Sequence, residues 1–217
     1  MTGLILKDLV NLKRYGRTLA IVIAIYAVMS FINKDASMFN SIFTVVLAMI
    51  TISSYSFDEA AKWDSYALSM PVNRKDIVKS KYYLLLIISA LGLGVNLIFS
   101  IGINLYIGSD NLLKGFEFSL IGAMGLLFLN SIIIPFITKL GVEKARIIMI
   151  IVFMLPTGII YLGMNTLNNG TLTIPKKIIE IGNLILQYKY IIVPIAIIIV
   201  LSISYNVSVK IYQKKQF

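Results

Sequence analysis

Residues 58–83 read DEAAKWDSYALSMPVNRKDIVKSKYY, the most highly charged stretch of a chain that is otherwise strongly apolar. Apolar residues recur at helical spacing in its first half, and Pro71 is expected to end that helix because proline disfavours the α conformation of the preceding residue. Asn73 and Asp76 can cap a second helix, which the sequence predicts over Arg74–Tyr82. Such a stretch fits either a plain solvated loop or a surface that binds a partner protein.

The rest of the chain has the composition of an integral membrane protein. Its 217 residues are 58% hydrophobic with a mean hydropathy of +0.87, whereas globular chains are roughly 45–50% apolar. The net charge of +10 lies mostly between apolar runs, which favours a membrane surface over nucleic acid. The chain contains no Cys and no His, which excludes disulfides, cysteine nucleophiles and histidine acid–base chemistry.

Six apolar runs predict an all-α, polytopic fold with one transmembrane domain over residues 1–217. Spanning takes about 20 residues. The predicted spans cover residues 18–32, 38–57, 83–107, 116–138, 145–165 and 190–209, and residues 58–82 form a cytosolic loop. Pro135 and Pro156 are expected to interrupt the fourth and fifth spans, because proline removes a backbone donor.

Two segments outside these spans are predicted to be amphipathic. In residues 1–16, Ile5, Leu9 and Leu12 share one face, which indicates a helix lying on the inner leaflet. Residues 166–189 are long for a connector, and Pro175 can begin a helix there. One interpretation of the second segment is an amphipathic helix that rests on the outer surface of the bilayer.

The distribution of basic residues predicts the orientation. If the amino terminus is cytosolic, the inside segments hold fifteen Lys and Arg residues and the outside segments hold five. Lys and Arg collect on the cytosolic side of membrane proteins, so both termini are predicted to be cytosolic.

The sequence predicts no catalytic residues, no metal site and no cofactor site in this chain. All ten carboxylates can be placed outside the spans, apart from Glu117 near the outer end of the fourth. A proton- or sodium-coupled carrier would usually need an acid within the membrane. The chain also lacks a GxxxxGK[ST] sequence, so any ATP must be bound by another protein.

Two stripes of small and polar residues repeat at helical spacing in the second and third predicted spans. Amides and hydroxyls in lipid need hydrogen-bond partners, so these stripes fit helix packing. A second interpretation is that they line a pathway in a two-fold assembly. The candidate pathway residues are Ser41, Thr44, Thr51, Asn96, Ser100 and Asn104.

Ten residues of the charged stretch form a pattern of aromatic residues, a hydrophobe before proline, an arginine, two β-branched residues and a basic–aromatic pair. They are Trp63, Tyr66, Leu68, Met70, Pro71, Arg74, Ile77, Val78, Lys81 and Tyr82. With this pattern, residues 63–82 resemble the first cytosolic loop of small permease subunits of type 2 ABC exporters. The resemblance is closest to the subgroup that exports amphipathic peptides such as phenol-soluble modulins.

The resemblance implies a coupling helix that docks into a separate cytosolic ABC ATPase, which binds ATP and Mg²⁺. It implies a homodimer of this chain with two ATPase copies in a bacterial cell membrane, and re-entrant or interfacial helices over residues 166–189. The residues expected to dock are Arg74, Lys75, Ile77, Val78 and Tyr82.

The predicted function is therefore a permease subunit that exports amphipathic or antimicrobial-type peptides. A secondary carrier is disfavoured by the lack of charge inside the spans, and a membrane enzyme by the lack of acid–base groups there. The remaining alternative is an immunity or sensor subunit that binds peptides without moving them.

Overall fold

The computed structural model describes residues 2–67, 69–107, 112–152, 154, 158 and 187–215, and it contains no strand within them. Residues 142–152 are helical, and a short 3₁₀ turn joins the first two helices. The helices are α1 (Thr2–Leu12), α2 (Gly16–Asn33), α3 (Ser37–Ala60), α4 (Trp63–Ala67), α5 (Arg74–Ile107), α6 (Leu112–Leu140) and α7 (Lys189–Lys214).

Five of the described helices are long and apolar enough to cross a bilayer. They are Gly16–Asn33, Ser37–Ala60, Arg74–Ile107, Gly115–Leu140 and Lys189–Lys214. These match five of the six predicted spans, so the prediction of a polytopic helical membrane protein is confirmed. The predicted span 145–165 is described only in part, and the predicted helix within 166–189 lies almost entirely outside the described residues.

Contacts between helix termini define two ends of the bundle. Arg74 at the start of α5 bonds to the carbonyl of Gln213 at the end of α7, and the end of α3 contacts α1 through Lys7 and Asp58. We call this the charged end. At the opposite end, Lys189 at the start of α7 pairs with Glu117 near the start of α6.

Helix α5 is a single helix of 34 residues from Arg74 to Ile107. The sequence had predicted two separate helices there, a cytosolic one over Arg74–Tyr82 and a span from Tyr83, and that division is wrong. The sequence offered no helix breaker between them, since residues 74–91 contain neither proline nor glycine. The start of α5 directly after Asn73 agrees with the predicted cap position.

Helix α3 ends in a turn at Ala61 and Lys62. Lys62 adopts a left-handed conformation with φ of 48°, and its N–H bonds to the carbonyl of Glu59. The short helix α4 follows at once. The helix predicted to run through this stretch to Pro71 is therefore broken at Lys62.

Helix α6 continues through Pro135 instead of being interrupted there. A proline at position 135 cannot donate a hydrogen to the carbonyl of Ser131. The hydroxyl of Ser204 on α7 donates to that carbonyl instead. The Tyr82 hydroxyl lies 2.6 Å from Ser204 Oγ and 3.0 Å from Ser208 Oγ, so buried hydroxyls join α5, α6 and α7.

A tight reversal joins α6 to the helical segment 142–152. Gly141 has φ of +84°, which only glycine adopts without strain. A side chain at this position would also lie 2.9 Å from Glu59 Oε1. Glu59 Oε2 accepts a hydrogen bond of 2.8 Å from the N–H of Val142, so the end of α3 caps the next helix.

The candidate functional site

The charged end contains a cluster of four ionised side chains, which we call the charge cluster: Lys7, Asp8, Asp58 and Lys81. Lys81 Nζ lies 3.0 Å from Asp8 Oδ1 and 2.6 Å from Asp58 Oδ2. Lys7 Nζ lies 2.5 Å from Asp58 Oδ1 and 3.2 Å from Asp8 Oδ1. Each carboxylate therefore contacts both ammonium groups.

Three of the four side chains are buried, which is unusual for charged groups, and Lys7 is partly exposed. Asp8 is 1% exposed, Lys81 5% and Asp58 8%. Lys81 also donates to the hydroxyl of Ser54 at 2.7 Å, and its ammonium lies 4.9 Å from the ring centre of Tyr55. A buried charge is tolerated only when it is paired and hydrogen-bonded in this way.

Helical spacing explains how α3 contributes to the cluster. Ser54 and Asp58 are four residues apart, so they lie on the same face of α3 and both reach Lys81. Asp8 comes from α1, so three helices meet at one ammonium group. The sequence does not predict this role of α1, since Asp8 is simply one of the carboxylates outside the predicted spans. The available signal was a lysine on α5 with Ile77, Val78, Leu84 and Leu85 three and four residues away, on the same face of the helix.

The arrangement of α1 differs from a helix that merely lies on a membrane. Its polar side, through Asp8, is buried against α3 and α5, together with Leu12. Leu6 and Val10 are exposed on the other side. Of the three residues predicted to share the membrane face, Leu12 instead packs with Leu84 and Ile88 of α5.

Three of the five predicted docking residues are buried within this chain. Ile77 and Val78 are each 4% exposed, and Tyr82 is 8% exposed. They pack in a core with Ala67 of α4 and Val209 of α7. A direct contact of these side chains with another protein would require α5 to leave this core.

Arg74 and Lys75 are more accessible than the other three predicted docking residues. Lys75 is exposed and Arg74 is half-buried. Arg74 Nη1 donates to the carbonyls of Gln213 at 2.7 Å and Lys215 at 3.0 Å, where α7 ends. A cation at these carbonyls satisfies acceptors that the helix itself leaves open.

An open groove of about 340 Å³ lies at the charged end between α1 and the connection that contains α4. Apolar side chains form most of it, and Lys7 and Asp76 provide its charges. Tyr66 of α4 is 58% exposed. The groove residues are Gly3, Leu4, Lys7, Trp63, Met70, Pro71, Val72 and Asp76.

The polar stripes of α3 and α5 meet inside the protomer. Asn96 Nδ2 donates to Thr44 Oγ1 at 3.3 Å, and Asn40 Nδ2 donates to Ser100 Oγ at 2.8 Å. Asn96 and Ser100 are each 1% exposed. These contacts between helices favour a packing role for the two residues.

The other candidate pathway residues are more dispersed. Thr51 is buried two turns beyond Thr44, and its hydroxyl bonds to the carbonyl of Leu47 in its own helix. Ser41 is exposed. Asn104 faces α6, where a side chain added at Gly115 would lie 3.1 Å from its Nδ2. Their role as the lining of a pathway in a two-fold assembly stays a prediction.

Nothing in the described residues resembles a metal centre, since no group of three His, Cys, Asp or Glu side chains is placed to hold a metal ion. The described residues instead form a bundle in which five helices are long and apolar enough to cross a bilayer, with a cluster of charged side chains at one end. The profile for "ABC-2 family transporter protein" matches residues 3–213, which is nearly the whole chain. The chain belongs to the ABC-2 transporter family. No curated protein and no solved structure is significantly similar to it.

Family membership identifies this ABC-2 transporter protein as a multi-pass membrane permease subunit, a class of transport subunit that is generally non-catalytic and associates with an ABC ATPase. The match covers the charge cluster and all five described spans apart from Lys214.

Proposed function

We propose that the chain is the permease of an ATP-driven exporter and that the charged end is where the ATPase docks. The observation that carries this proposal is the groove beside α4, which presents Trp63, Met70 and Pro71 at the end of the bundle that also holds the charge cluster. An apolar centre with charged margins is typical of protein interfaces.

The burial of Ile77 and Val78 changes how we expect docking to work. The contact surface would consist of the groove, Tyr66 and the exposed side chain of Lys75. The role of Ile77, Val78 and Tyr82 would be indirect. These side chains would not touch the ATPase but would pack the start of α5 against α4 and α7. Arg74 would hold α7 through its backbone carbonyls and contribute a charge at the margin.

The continuity of α5 supplies a mechanism for coupling. At about 1.5 Å per residue, its 34 residues extend about 50 Å. Movement of the ATPase against α4 would tilt α5 as one rigid element. The same helix carries Asn96 and Ser100, which contact Asn40 and Thr44 of α3. ATP-driven motion at the charged end would thereby rearrange the middle of the bundle.

We also propose that the chain crosses the membrane six times and that its charged end faces the cytosol. Val142 lies at the charged end beside Glu59, whereas Lys189 lies at the opposite end beside Glu117. The chain between these positions must pass from one end to the other, which supports a sixth span. With six spans, the segments that carry fifteen basic residues lie on one side, which would be the cytosol.

The substrate and the assembly follow from the resemblance of residues 63–82 and stay predictions. We propose an amphipathic peptide substrate and a homodimer with two ATPase copies that bind ATP and Mg²⁺. Transport of a labelled amphipathic peptide into inverted membrane vesicles tests this. Uptake should require ATP and the partner, whereas an immunity or sensor subunit binds peptide without uptake, and a secondary carrier needs only an ion gradient.

A further inference from the structure

A second groove lies between α6 and α7, far from the ATPase surface. Its volume is about 450 Å³, within the range of small-molecule sites. Apolar side chains form its whole length, and polar side chains occur only at one mouth. The apolar residues are Leu120, Ile121, Met124, Gly125, Phe128, Ile192, Val193, Ala196 and Ile197.

Small residues keep this groove open. Gly125 lies on its wall, and no other atom lies within 4 Å of the position where a side chain would begin. Ala196 lies on the opposite wall. Further along, the two helices meet at the hydrogen bond between Ser204 and Ser131. The groove therefore ends where the helices come into contact.

The polar mouth of the groove consists of Glu117, Lys189 and Tyr190. Glu117 Oε1 accepts hydrogen bonds from Lys189 Nζ at 3.2 Å and from the Tyr190 hydroxyl. Within the described part of the chain, Glu117 Oε2 accepts no hydrogen bond. Lys189 carries two further N–H donors. The mouth thus offers one anionic acceptor and one cationic donor side by side, with no net charge.

We propose that this groove binds a zwitterionic aminophospholipid. One acyl chain lies along the apolar walls, the lipid ammonium group bonds to Glu117 Oε2, and the lipid phosphate bonds to Lys189. A headgroup with both signs complements this mouth, and charge-assisted hydrogen bonds are stronger than neutral ones. This inference goes beyond transport and does not depend on the ATPase.

The location of the groove favours a lipid over a peptide as its occupant. Both walls belong to helices that can span a bilayer. Ile121 is 61% exposed and Ile198, beside the groove on α7, is 63% exposed. Such surfaces face acyl chains in a membrane. The polar mouth is at the ends of both helices, where lipid headgroups begin.

The test uses the full-length protein in nanodiscs that contain phosphatidylethanolamine and phosphatidylglycerol. Each lipid is supplied in turn as a probe with a photoreactive diazirine in its acyl chain, and labelled peptides are identified by mass spectrometry. The phosphatidylethanolamine probe should label residues 120–128 and 192–197 more strongly than the phosphatidylglycerol probe. Equal labelling by the two probes would overturn the proposal, because the groove would then hold any bilayer lipid.

Two variants make the test specific. Gly125→Leu fills the groove and should reduce labelling by the phosphatidylethanolamine probe about tenfold. Gly102→Leu is the matched control, because Gly102 is exposed on α5 and has no atom near its added side chain either. It should leave labelling unchanged. Thermal unfolding of both proteins shows that each is folded.

The headgroup contact has its own variant. Glu117→Gln should lower labelling by phosphatidylethanolamine to the level of phosphatidylglycerol, without changing the latter. Three results would overturn the proposal. The first is unchanged labelling of the Gly125→Leu variant. The second is loss of a two-copy assembly in that variant, which would assign the groove to a second copy of the chain. The third is displacement of the phosphatidylethanolamine probe by an amphipathic peptide.

Discussion

The ammonium group of Lys81 lies 3.0 Å from the carboxylate of Asp8, although the two residues are 73 positions apart. This contact fastens the amino-terminal helix to the start of α5. It lies beside the surface that we propose for the ATPase. We therefore expect this buried contact to stabilise the charged end.

Replacing Lys81 by Met should strongly destabilise the protein. In the variant, Lys7 is the one ammonium group of the charge cluster that still pairs with Asp8 and Asp58, which stay buried. Breaking a buried ion pair typically lowers the free energy of unfolding by about 3–5 kcal/mol. Lys79→Met is the control, because Lys79 is exposed two positions away and should change stability by about 0–0.5 kcal/mol. Thermal unfolding in detergent measures both. Equal unfolding temperatures for the two variants would show that the cluster contributes nothing.

The contribution of the hydrogen bond from Ser204 to the carbonyl of Ser131 to the stability of the protein should depend on Pro135. The Ser204→Ala change should lower the free energy of unfolding by about 1–3 kcal/mol, because a buried carbonyl loses its donor. In a Pro135→Ala background, residue 135 regains an N–H that can bond to Ser131, so the same change should cost about 1 kcal/mol less. Ser202→Ala, at an exposed serine of α7, is the control. A cost of Ser204→Ala that is the same in both backgrounds would contradict this explanation.

The close approach of α6 to α3 should be sensitive to a single methyl group. A side chain at Gly122 would begin 2.7 Å from Thr44 Oγ1, whereas one at Gly125 meets nothing within 4 Å. Gly122→Ala should therefore destabilise the protein by about 1–3 kcal/mol through overpacking. Gly125→Ala should be neutral or slightly stabilising, because alanine favours the helix. If both variants unfold at the same temperature, α6 does not lie this close to α3.

Orientation can be tested at two matched lysines. Lys34 and Lys62 are both exposed, and both adopt left-handed conformations in short connections, with φ of 52° and 48°. The natural chain has no cysteine, so Lys34→Cys and Lys62→Cys carry one thiol each. An impermeant thiol reagent outside intact cells should label position 34 and not position 62. Labelling at position 62 alone would place the charged end outside the cell.

Much of the fold could be predicted from the sequence, because span length and hydropathy depend on local composition. The five described spans agree with the predicted ones to within a few residues, apart from the start of α5. That start was missed because charge suggested a boundary at Tyr82, although no proline or glycine in residues 74–91 favours the end of a helix there.

The site was harder to predict, because burial depends on which helices meet. The pattern around Ile77 and Val78 indicates an apolar face, but it does not say whether that face meets a partner or this chain's own α7. Likewise, Asp8 looks like an ordinary surface charge until Lys81 is placed beside it. Contacts between residues far apart in the sequence leave no local spacing that could reveal them.

The role of the groove at the charged end can be tested apart from overall stability. Tyr66→Ala removes an exposed side chain and should weaken ATPase binding by about 1–2 kcal/mol or more, as for other interface aromatics. The Lys75→Ala change, nearer the margin of the proposed contact surface, should weaken ATPase binding by about 0–1 kcal/mol. Both proteins should insert and unfold like the wild type. Co-purification of the ATPase at increasing salt compares them, and no difference between the two variants would place the contact elsewhere.

The central claim is that this permease works through a separate ATPase bound at its charged end. The most direct measurement is purification of the native chain from its own membrane, with chemical crosslinking and mass spectrometry of whatever accompanies it. We expect a P-loop ATPase crosslinked to Lys62, Lys75 or Lys79, which are all exposed at the charged end. Purification of an active transporter with no ATPase, or with one crosslinked only at the opposite end, would contradict the claim.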